Sequence, residues 1–260
     1  MPKYLIILIS LISFASPAQD FPLYEKKEYT NSNGKKLLYR ILYPQNYDRS
    51  KKYPLVLFLH GAGERGEDNE KQLTHGAKLF IDSINRTKYP AIVLFPQCPP
   101  IGYWSSVIID RTTSPLGLRF DYSRSASVDL AIAIELVKHV KKKESVDVSR
   151  VYITGLSMGG MGTFEAVYRY PKLFAAAVPI CGGGDTVRYD KRVRPVHFRI
   201  FHGDQDSTVG VKESRSMVAK LKSLNATVVY KEYIGVYHNS WNNAFAEPDF
   251  MSWIFGQKRK

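Results

Sequence analysis

A serine lies between two glycines in the run Gly155-Leu-Ser157-Met-Gly159. An apolar run, 151–154, precedes it and a stretch with helical spacing, 158–170, follows, so the serine is predicted at a strand-to-helix turn. Such a sharp turn pushes the hydroxyl beyond the sheet, strains the serine backbone and leaves no room for a Cβ two residues before or after it. The following helix would direct its N-terminus at the hydroxyl, which favours negative charge there. We therefore predict that Ser157 is a nucleophile.

A serine hydroxyl is a poor nucleophile at neutral pH, so it needs a base, and the base needs an acid that orients it. The predicted acid is Asp206, because it follows the apolar run 197–201 and catalytic groups collect at the carboxyl ends of parallel strands. Asp204 is the alternative acid, although we expect it to hold the loop by turn hydrogen bonds. The predicted base is His238, which lies after the last predicted strand and just before the closing helix.

The remaining histidines fit structural positions better than a catalytic one. They lie in a helix, in a polar segment, inside a strand or before a glycine at a strand end: His139, His75, His197, His60 and His202. A metal site made of His202, Asp204 and Asp206 is an alternative, but its spacing matches no standard set of ligands. We predict no metal and no organic cofactor, because the serine supplies the nucleophile.

Attack by a serine on a carbonyl creates an oxyanion that two fixed backbone N–H groups should stabilise. One predicted donor is Met158, directly after the nucleophile. The other is Ala62, because the apolar run 55–59 leads into a turn of small residues that lets backbone approach a substrate. Gly61 and Gly63, on either side of Ala62, remain alternative donors.

The elements that position these residues alternate along the chain. Short apolar runs predict buried parallel strands at 55–59, 92–95, 151–154, 175–180, 197–201 and 227–233, and helices are predicted at 127–142, 158–170, 212–223 and 241–255. Asn33-Gly34 predicts the turn of an antiparallel hairpin over 25–43. The expected fold is therefore α/β: a mostly parallel central sheet with helices on both faces and an N-terminal antiparallel hairpin. The irregular segment 99–124 leaves a strand end and is expected to wall a substrate pocket.

The first 18 residues are predicted to be a signal peptide, because Lys3 precedes an apolar run and small residues follow it. Residues 19–260 are then a single catalytic domain, secreted or periplasmic. A retained anchor is the alternative, although the apolar run is too short to span a bilayer. Cys98 and Cys181 form either a disulfide or two buried thiols. The net charge of +13 comes from scattered residues, so we expect no nucleic-acid partner.

Five motifs give the chain a family resemblance. They are Leu59-His-Gly-Ala-Gly-Glu64-Arg65-Gly66, Pro96-Gln97-Cys98-Pro99, Gly155-Leu-Ser-Met-Gly-Gly-Met-Gly162, Pro179-Ile-Cys-Gly-Gly-Gly184-Asp185 and Tyr237-His-Asn-Ser-Trp241. Over residues 25–256 the chain resembles bacterial α/β hydrolases known as predicted peptidases. These are related to esterase D-like, feruloyl and polyhydroxybutyrate depolymerase-like esterases and, more distantly, to prolyl oligopeptidases. The resemblance implies the α/β-hydrolase fold and a triad in the chain order Ser157, Asp206, His238.

The resemblance also implies a substrate site. It places Trp104 and the Glu64–Arg65 loop near the nucleophile, and with Trp241 these are the candidate substrate-binding residues. We expect a serine carboxylesterase acting on small or glycan-linked acyl or feruloyl esters, without stable membrane insertion after signal cleavage.

Two alternative functions are weighed against the esterase. A peptidase of the prolyl-oligopeptidase type would use the same triad, but no span of the chain can build the propeller that restricts peptides in those enzymes. A non-catalytic binding module is the third possibility, and the presence of both Ser157 and His238 argues against it.

Overall fold

A computed structural model describes residues 21–259, so the predicted signal peptide lies outside the described residues. The strands are β1 (Glu25–Thr30), β2 (Lys36–Leu42), β3 (Tyr53–Leu59), β4 (Ile92–Pro96), β5 (Val107–Asp110), β6 (Gly117–Phe120), β7 (Val146–Leu156), β8 (Ala176–Ile180), β9 (His197–Gly203) and β10 (Val228–Tyr233). The helices are α1 (Ala77–Ile81), α2 (Ser83–Lys88), α3 (Val128–Lys143), α4 (Met158–Arg169), α5 (Lys212–Ser223), α6 (Trp241–Phe245) and α7 (Phe250–Phe255). Over residues 21–259, no helix has the length and apolar character needed to cross a membrane.

Eight strands form one sheet in the order β1-β2-β4-β3-β7-β8-β9-β10. The pairs β1–β2 and β2–β4 are antiparallel, and every other pair in this sheet is parallel. The predicted N-terminal hairpin therefore forms one edge of a mostly parallel sheet. The parallel strands place the carboxyl ends of β3, β7 and β9 at the same edge of the sheet, where ligands bind in such folds.

Both faces of the sheet are covered by helices. In β3, Leu55, Leu57 and Leu59 join a core with buried residues of α3, α4 and α5, whereas Val56 and Phe58 join a second core with residues of α1, α6 and α7. Successive strand residues point to opposite faces, so a strand covered on both sides is apolar throughout. Full burial of each such side chain contributes roughly 1.5–3 kcal/mol. The predicted α/β fold is confirmed.

The closing helix differs from the prediction of one helix over 241–255. It is divided into α6 and α7, with Pro248 between them. A proline has no N–H for the helix ladder, and it disfavours helical backbone at the residue before it. The apolar residues of α6 and α7 still pack on the same core, which explains why their spacing suggested a continuous helix.

The segment 99–124 also differs from its prediction, because it is not irregular throughout. It contains the antiparallel hairpin of β5 and β6, separate from the main sheet. These strands have four residues each and are only partly buried, so they lack the apolar run of a core strand. The two cysteines are free thiols, each fully buried in a different core.

Candidate active site

Ser157 lies at the turn between β7 and α4, as its glycine spacing predicts. Its backbone has φ 53° and ψ −115°, a strained conformation for a residue with a Cβ. A Cβ on Gly159 would lie 1.9 Å from the carbonyl oxygen of Leu59, and one on Gly155 would lie 2.5 Å from the carbonyl oxygen of Gly159. Both positions therefore require glycine, because the turn is packed directly against neighbouring backbone.

The three predicted triad residues meet at the carboxyl edge of the sheet. His238 Nε2 lies 2.9 Å from Ser157 Oγ, and His238 Nδ1 lies 2.8 Å from Asp206 Oδ2. The carboxylate can only accept, so Nδ1 carries a proton and Nε2 is left to accept the proton of the serine hydroxyl. This is the geometry of a nucleophile, its base and the acid that orients the base.

Asp206 is 4% exposed and fully hydrogen-bonded. Its Oδ1 accepts the backbone N–H groups of Thr208 and Val209, each at 2.9 Å, and its Oδ2 accepts from His238 and also lies 3.1 Å from His202 Nε2. Burial alone would raise the pKa of Asp206, but the hydrogen bonds from His202 and His238 outweigh it and hold that pKa well below its usual range. The group is therefore a carboxylate at neutral pH.

Asp204, the alternative acid, has the structural role expected of it. Its Oδ1 accepts the backbone N–H of Gly235 at 2.7 Å, which ties the acid loop to the loop after β10.

The two predicted oxyanion donors each begin a helical turn. Met158 is the first residue of α4, and Ala62 is the first residue of a 3₁₀ turn, Ala62–Glu64, so neither N–H has a partner within its own turn. His60, which is 1% exposed, holds the loop that contains Ala62. Its Nδ1 donates to the Gly61 carbonyl at 2.6 Å, and its Nε2 accepts the backbone N–H of Cys98 at 2.9 Å. Burial lowers the pKa of His60 to about 4, against the opposing effect of the Gly61 hydrogen bond, so this ring is neutral at neutral pH.

A cavity of about 320 Å³ opens onto Ser157 and His238. The glycine loop, residues 61–64, lines one part of it, and the segment 99–124 lines another part with Tyr103, Ile109, Arg111 and Leu116. The expectation that this segment walls a pocket at the nucleophile therefore agrees with the structure.

Two of the four predicted substrate-binding residues line this cavity. The ring of Trp241 stands edge-on to that of His238, with centroids 5.4 Å apart, and also contacts the ring of His75, with centroids 5.2 Å apart. Glu64 Oε1 lies 3.7 Å from His75 Nε2 on the same wall. Glu64 and Trp241 are thus placed where they can contact a substrate.

The other two substrate-binding predictions need correction. Trp104 is 0% exposed and packs edge-on to His60 at 5.4 Å, so it supports the glycine loop from inside the core and its neighbour Tyr103 faces the cavity instead. Arg65 does not line the cavity, because its guanidinium donates to the carbonyl oxygens of Ala62 (2.9 Å) and Gly102 (3.4 Å). Both residues brace the site without facing it.

Sequence reasoning missed His60, His75, Tyr103 and His202 as parts of the site. His75 and Tyr103 reach the cavity through contacts distant in sequence, which no local pattern reveals. His60 and His202 each precede a glycine at the carboxyl end of a buried strand. A polar residue at that position is a usable signal, because its side chain must find a partner inside the fold.

Within residues 21–259, one group of three side chains could offer ligands to a metal: Cys181, Asp206 and His238. Two of its members are already hydrogen-bonded to each other in the triad. Burial raises the pKa of the Cys181 thiol, which disfavours the thiolate that a metal needs. The donor set fits the serine chemistry better than a metal.

The model of the prolyl oligopeptidase family matches residues 123–195, which include the nucleophile turn. Among curated relatives, the bifunctional acetylxylan esterase/xylanase XynS20E of Neocallimastix patriciarum is 33% identical over 79 residues, 30% of this chain, and the match spans only 12% of that protein. Carboxylesterase SOBER1 of Arabidopsis thaliana is 24% identical over 212 residues, covering 76% of this chain and 88% of SOBER1.

Solved structures show the same architecture. A thermostable esterase superposes with a TM-score of 0.82 and 35% identity, covering 91% of this chain and 64% of the esterase. The ferulic acid esterase AmCE1/Fae1A of Anaeromyces mucronatus, in complex with ferulic acid, superposes with a TM-score of 0.67 at 19% identity and covers 93% of each chain, which is a likeness of fold. The chain has the α/β-hydrolase fold and is similar to esterases and, over residues 123–195, to the prolyl oligopeptidase family.

Proposed function

We propose that this protein is a secreted serine carboxylesterase that hydrolyses small or glycan-linked acyl or feruloyl esters through an acyl-enzyme on Ser157. The observation that carries the proposal is the continuous hydrogen-bonded chain from Asp206 through His238 to Ser157, ending at an open cavity.

In the acylation step, Ser157 Oγ attacks the ester carbonyl carbon while His238 Nε2 takes the hydroxyl proton. The carbonyl oxygen becomes an oxyanion that accepts hydrogen bonds from the N–H groups of Met158 and Ala62, worth roughly 3 kcal/mol each for comparable donors. Asp206 stabilises the resulting imidazolium. The ester C–O bond then breaks, and the alcohol leaves with the proton from His238.

In the deacylation step, a water molecule replaces the alcohol. His238 takes a proton from the water as the water oxygen attacks the acyl carbon, and the same two N–H groups stabilise the second oxyanion. The carboxylic acid leaves as the proton returns to Ser157 Oγ, so the enzyme is regenerated. Every step uses groups of this chain and water alone.

The size and lining of the cavity support an ester of modest size as the substrate. A volume of about 320 Å³ lies at the lower end of small-molecule pockets. Aromatic and aliphatic walls from Tyr103, Ile109, Leu116 and Trp241 suit an acyl group such as a phenolic acid. The ferulic acid esterase and the acetylxylan esterase among the similar proteins support glycan-linked acyl groups as the natural class.

Export is supported by the sequence of residues 1–18, with its basic start, apolar run and small residues. N-terminal sequencing of the protein recovered outside the cytoplasm tests this part, and a mature chain that still begins at Met1 would contradict it.

The activity is tested with nitrophenyl acetate, nitrophenyl butyrate, methyl ferulate and acetylated xylan, using the mature wild type and Ser157→Ala in parallel. We expect turnover of at least one ester class by the wild type and none above background by the variant. Failure of the wild type on the whole panel would contradict the proposal. Faster cleavage of aminoacyl-nitroanilides than of matched esters would favour the peptidase alternative, in which His238 protonates a leaving amine.

A further inference from the structure

A second histidine, His202, contacts the triad acid from inside the fold. It is 0% exposed and is the penultimate residue of β9. Its Nε2 lies 2.8 Å from the carbonyl oxygen of Val209 and 3.1 Å from Asp206 Oδ2. Both partners can only accept, so Nε2 carries a proton that it donates to them.

The other nitrogen of the ring is also fixed. His202 Nδ1 lies 2.7 Å from Ser214 Oγ, and that hydroxyl is 3.0 Å from the carbonyl oxygen of Gly182. The ring is an imidazolium when the serine donates its proton to Gly182, and it is neutral when the serine donates to Nδ1. Both arrangements leave the Nε2 proton directed at Asp206, so this contact does not depend on the charge of the ring.

His202 and His238 therefore hold the same carboxylate oxygen from two sides. The two backbone N–H groups on Oδ1 fix one end of Asp206, and the two imidazoles fix Oδ2. A carboxylate held by four donors cannot rotate away from His238. Loss of the bond from His202 would leave Oδ2 with one donor and let the carboxylate turn away from His238.

We propose that His202 is a positioning residue of this active site, which holds Asp206 so that His238 stays aligned with Ser157. The proposal rests on the esterase mechanism for its effect on turnover, and on the hydrogen-bond geometry alone for its effect on His238. Partners that orient metal-binding side chains typically change affinity or activity 10- to 100-fold when removed, and we expect an effect of similar size here.

The charged groups facing His202 come from three elements. Asp206 lies on the loop after its own strand, Glu213 lies on α5 and Glu232 lies on β10, and a charge on His202 would favour the ionised form of both glutamates. Only Asp206 among these is in contact with His238. A change at His202 therefore reaches the base through Asp206.

The test compares His202→Leu, which removes the donor at similar volume, with His202→Gln, whose amide N–H can reach the position of Nε2. We expect His202→Leu to lower kcat about 10- to 100-fold with KM within about twofold, and His202→Gln to recover most of the loss. The acid limb of kcat/KM should move to lower pH in His202→Leu, because a carboxylate that turns away from His238 stabilises the His238 imidazolium less.

A matched control is Asp204→Asn, on the same loop, which removes a charge but keeps an oxygen that can accept the N–H of Gly235. Asp204→Asn should keep the wild-type kcat and the wild-type pH dependence of kcat/KM on the acid side, even if its melting temperature falls. The proposal would be overturned if His202→Leu kept the wild-type kcat and the wild-type pH dependence on the acid side. It would also be overturned if the Leu and Gln variants lost activity equally and in proportion to their melting temperatures.

A second measurement does not require turnover. In the wild type we expect a downfield proton resonance from His238 Nδ1–H in the NMR spectrum, which shifts or broadens in His202→Leu and is restored in His202→Gln. An unchanged resonance in a folded His202→Leu would overturn the proposal. If the resonance shifts but the wild type hydrolyses no ester, the positioning role is supported and only the esterase function is contradicted.

Discussion

The nucleophile turn and the β5–β6 hairpin both line the cavity, but they are built differently. At the turn, Gly155 and Gly159 lie against backbone atoms, and the N–H of Ser157 donates to the Ile180 carbonyl at 2.9 Å. On the hairpin, Ile108 is 41% exposed, and few bonds tie it to the body, one of them from the N–H of Leu116 to the Thr208 carbonyl at 3.0 Å.

The difference separates chemistry from selectivity. The turn is packed directly against neighbouring backbone, so it holds the hydroxyl of Ser157 and the N–H of Met158 in one geometry. The hairpin is a partly exposed wall whose side chains can change without disturbing the core, which suits the part of a site that selects substrates. Changes at the turn should therefore abolish catalysis or folding, and changes on the hairpin should alter which ester is preferred.

The largest effect is expected from Ser157→Ala. Loss of the nucleophile should lower kcat about a million-fold, as in comparable serine hydrolases, with an unchanged melting temperature. Steady-state kinetics with a nitrophenyl ester measure the loss, and the exposed neighbour of the acid, Ser207→Ala, is the control with wild-type activity. A variant that keeps even a tenth of the activity would contradict the assignment of the nucleophile.

Asp206→Asn should come next. An amide in place of the carboxylate fails to hold His238 in the tautomer that accepts the serine proton, so kcat should fall about 10⁴-fold. Comparison with Asp204→Asn, which should stay near wild type, separates the triad acid from its neighbour. A reversed order of the two variants would make Asp204 the acid.

Gly159→Ala tests the close packing of the turn. The added Cβ would lie 1.9 Å from the Leu59 carbonyl oxygen, so we expect the unfolding free energy to fall by about 3 kcal/mol. Gly63→Ala is the matched control, because a Cβ there meets no atom within 4 Å. Urea denaturation of both variants measures the difference, and equal stability would disprove the packing argument.

Leu116→Ala tests the hairpin wall. Shortening this side chain removes apolar contact with a long or aromatic acyl group but not with an acetyl group. We expect kcat/KM for butyryl or feruloyl esters to fall about tenfold relative to acetyl esters, with little change in melting temperature. An equal fall for all acyl groups would mean that the hairpin supports the chemistry rather than the selectivity.

The smallest effect is expected from Asp147, at the start of β7 and far from the cavity. Burial opposes ionisation, but hydrogen bonds from Ser149 and Arg150 lower the pKa of Asp147 to about 2. Because the folded-state pKa lies below the unfolded value of about 3.9, this group stabilises the fold above pH 4 and that contribution is lost as the pH falls towards 2. Asp147→Asn should flatten the decline of melting temperature between pH 4 and 2, and an unchanged slope would contradict this.

The parallel sheet, the nucleophile turn and the positions of Asp206 and His238 could be predicted from the sequence, because each follows from a local pattern at a strand end. The small hairpin could not be placed, since short, half-buried strands carry little hydrophobic signal. The break at Pro248 was hidden by apolar spacing that continues on both sides of the proline. The family resemblance places Trp104 and Arg65 near the nucleophile, but a sequence does not show in which direction a side chain points. Their side chains point into the core and onto backbone carbonyls, which only the packed structure reveals.

The most direct test of the account is to identify the residue that becomes acylated during turnover. The wild type is mixed with a slowly deacylating nitrophenyl ester, quenched in acid and analysed by peptide mass spectrometry. The account predicts a burst of about one nitrophenol per chain and a single acyl group on Ser157, absent in Ser157→Ala. Ester turnover with the acyl group on another residue, or with no acyl-enzyme even under conditions that trap it, would contradict it.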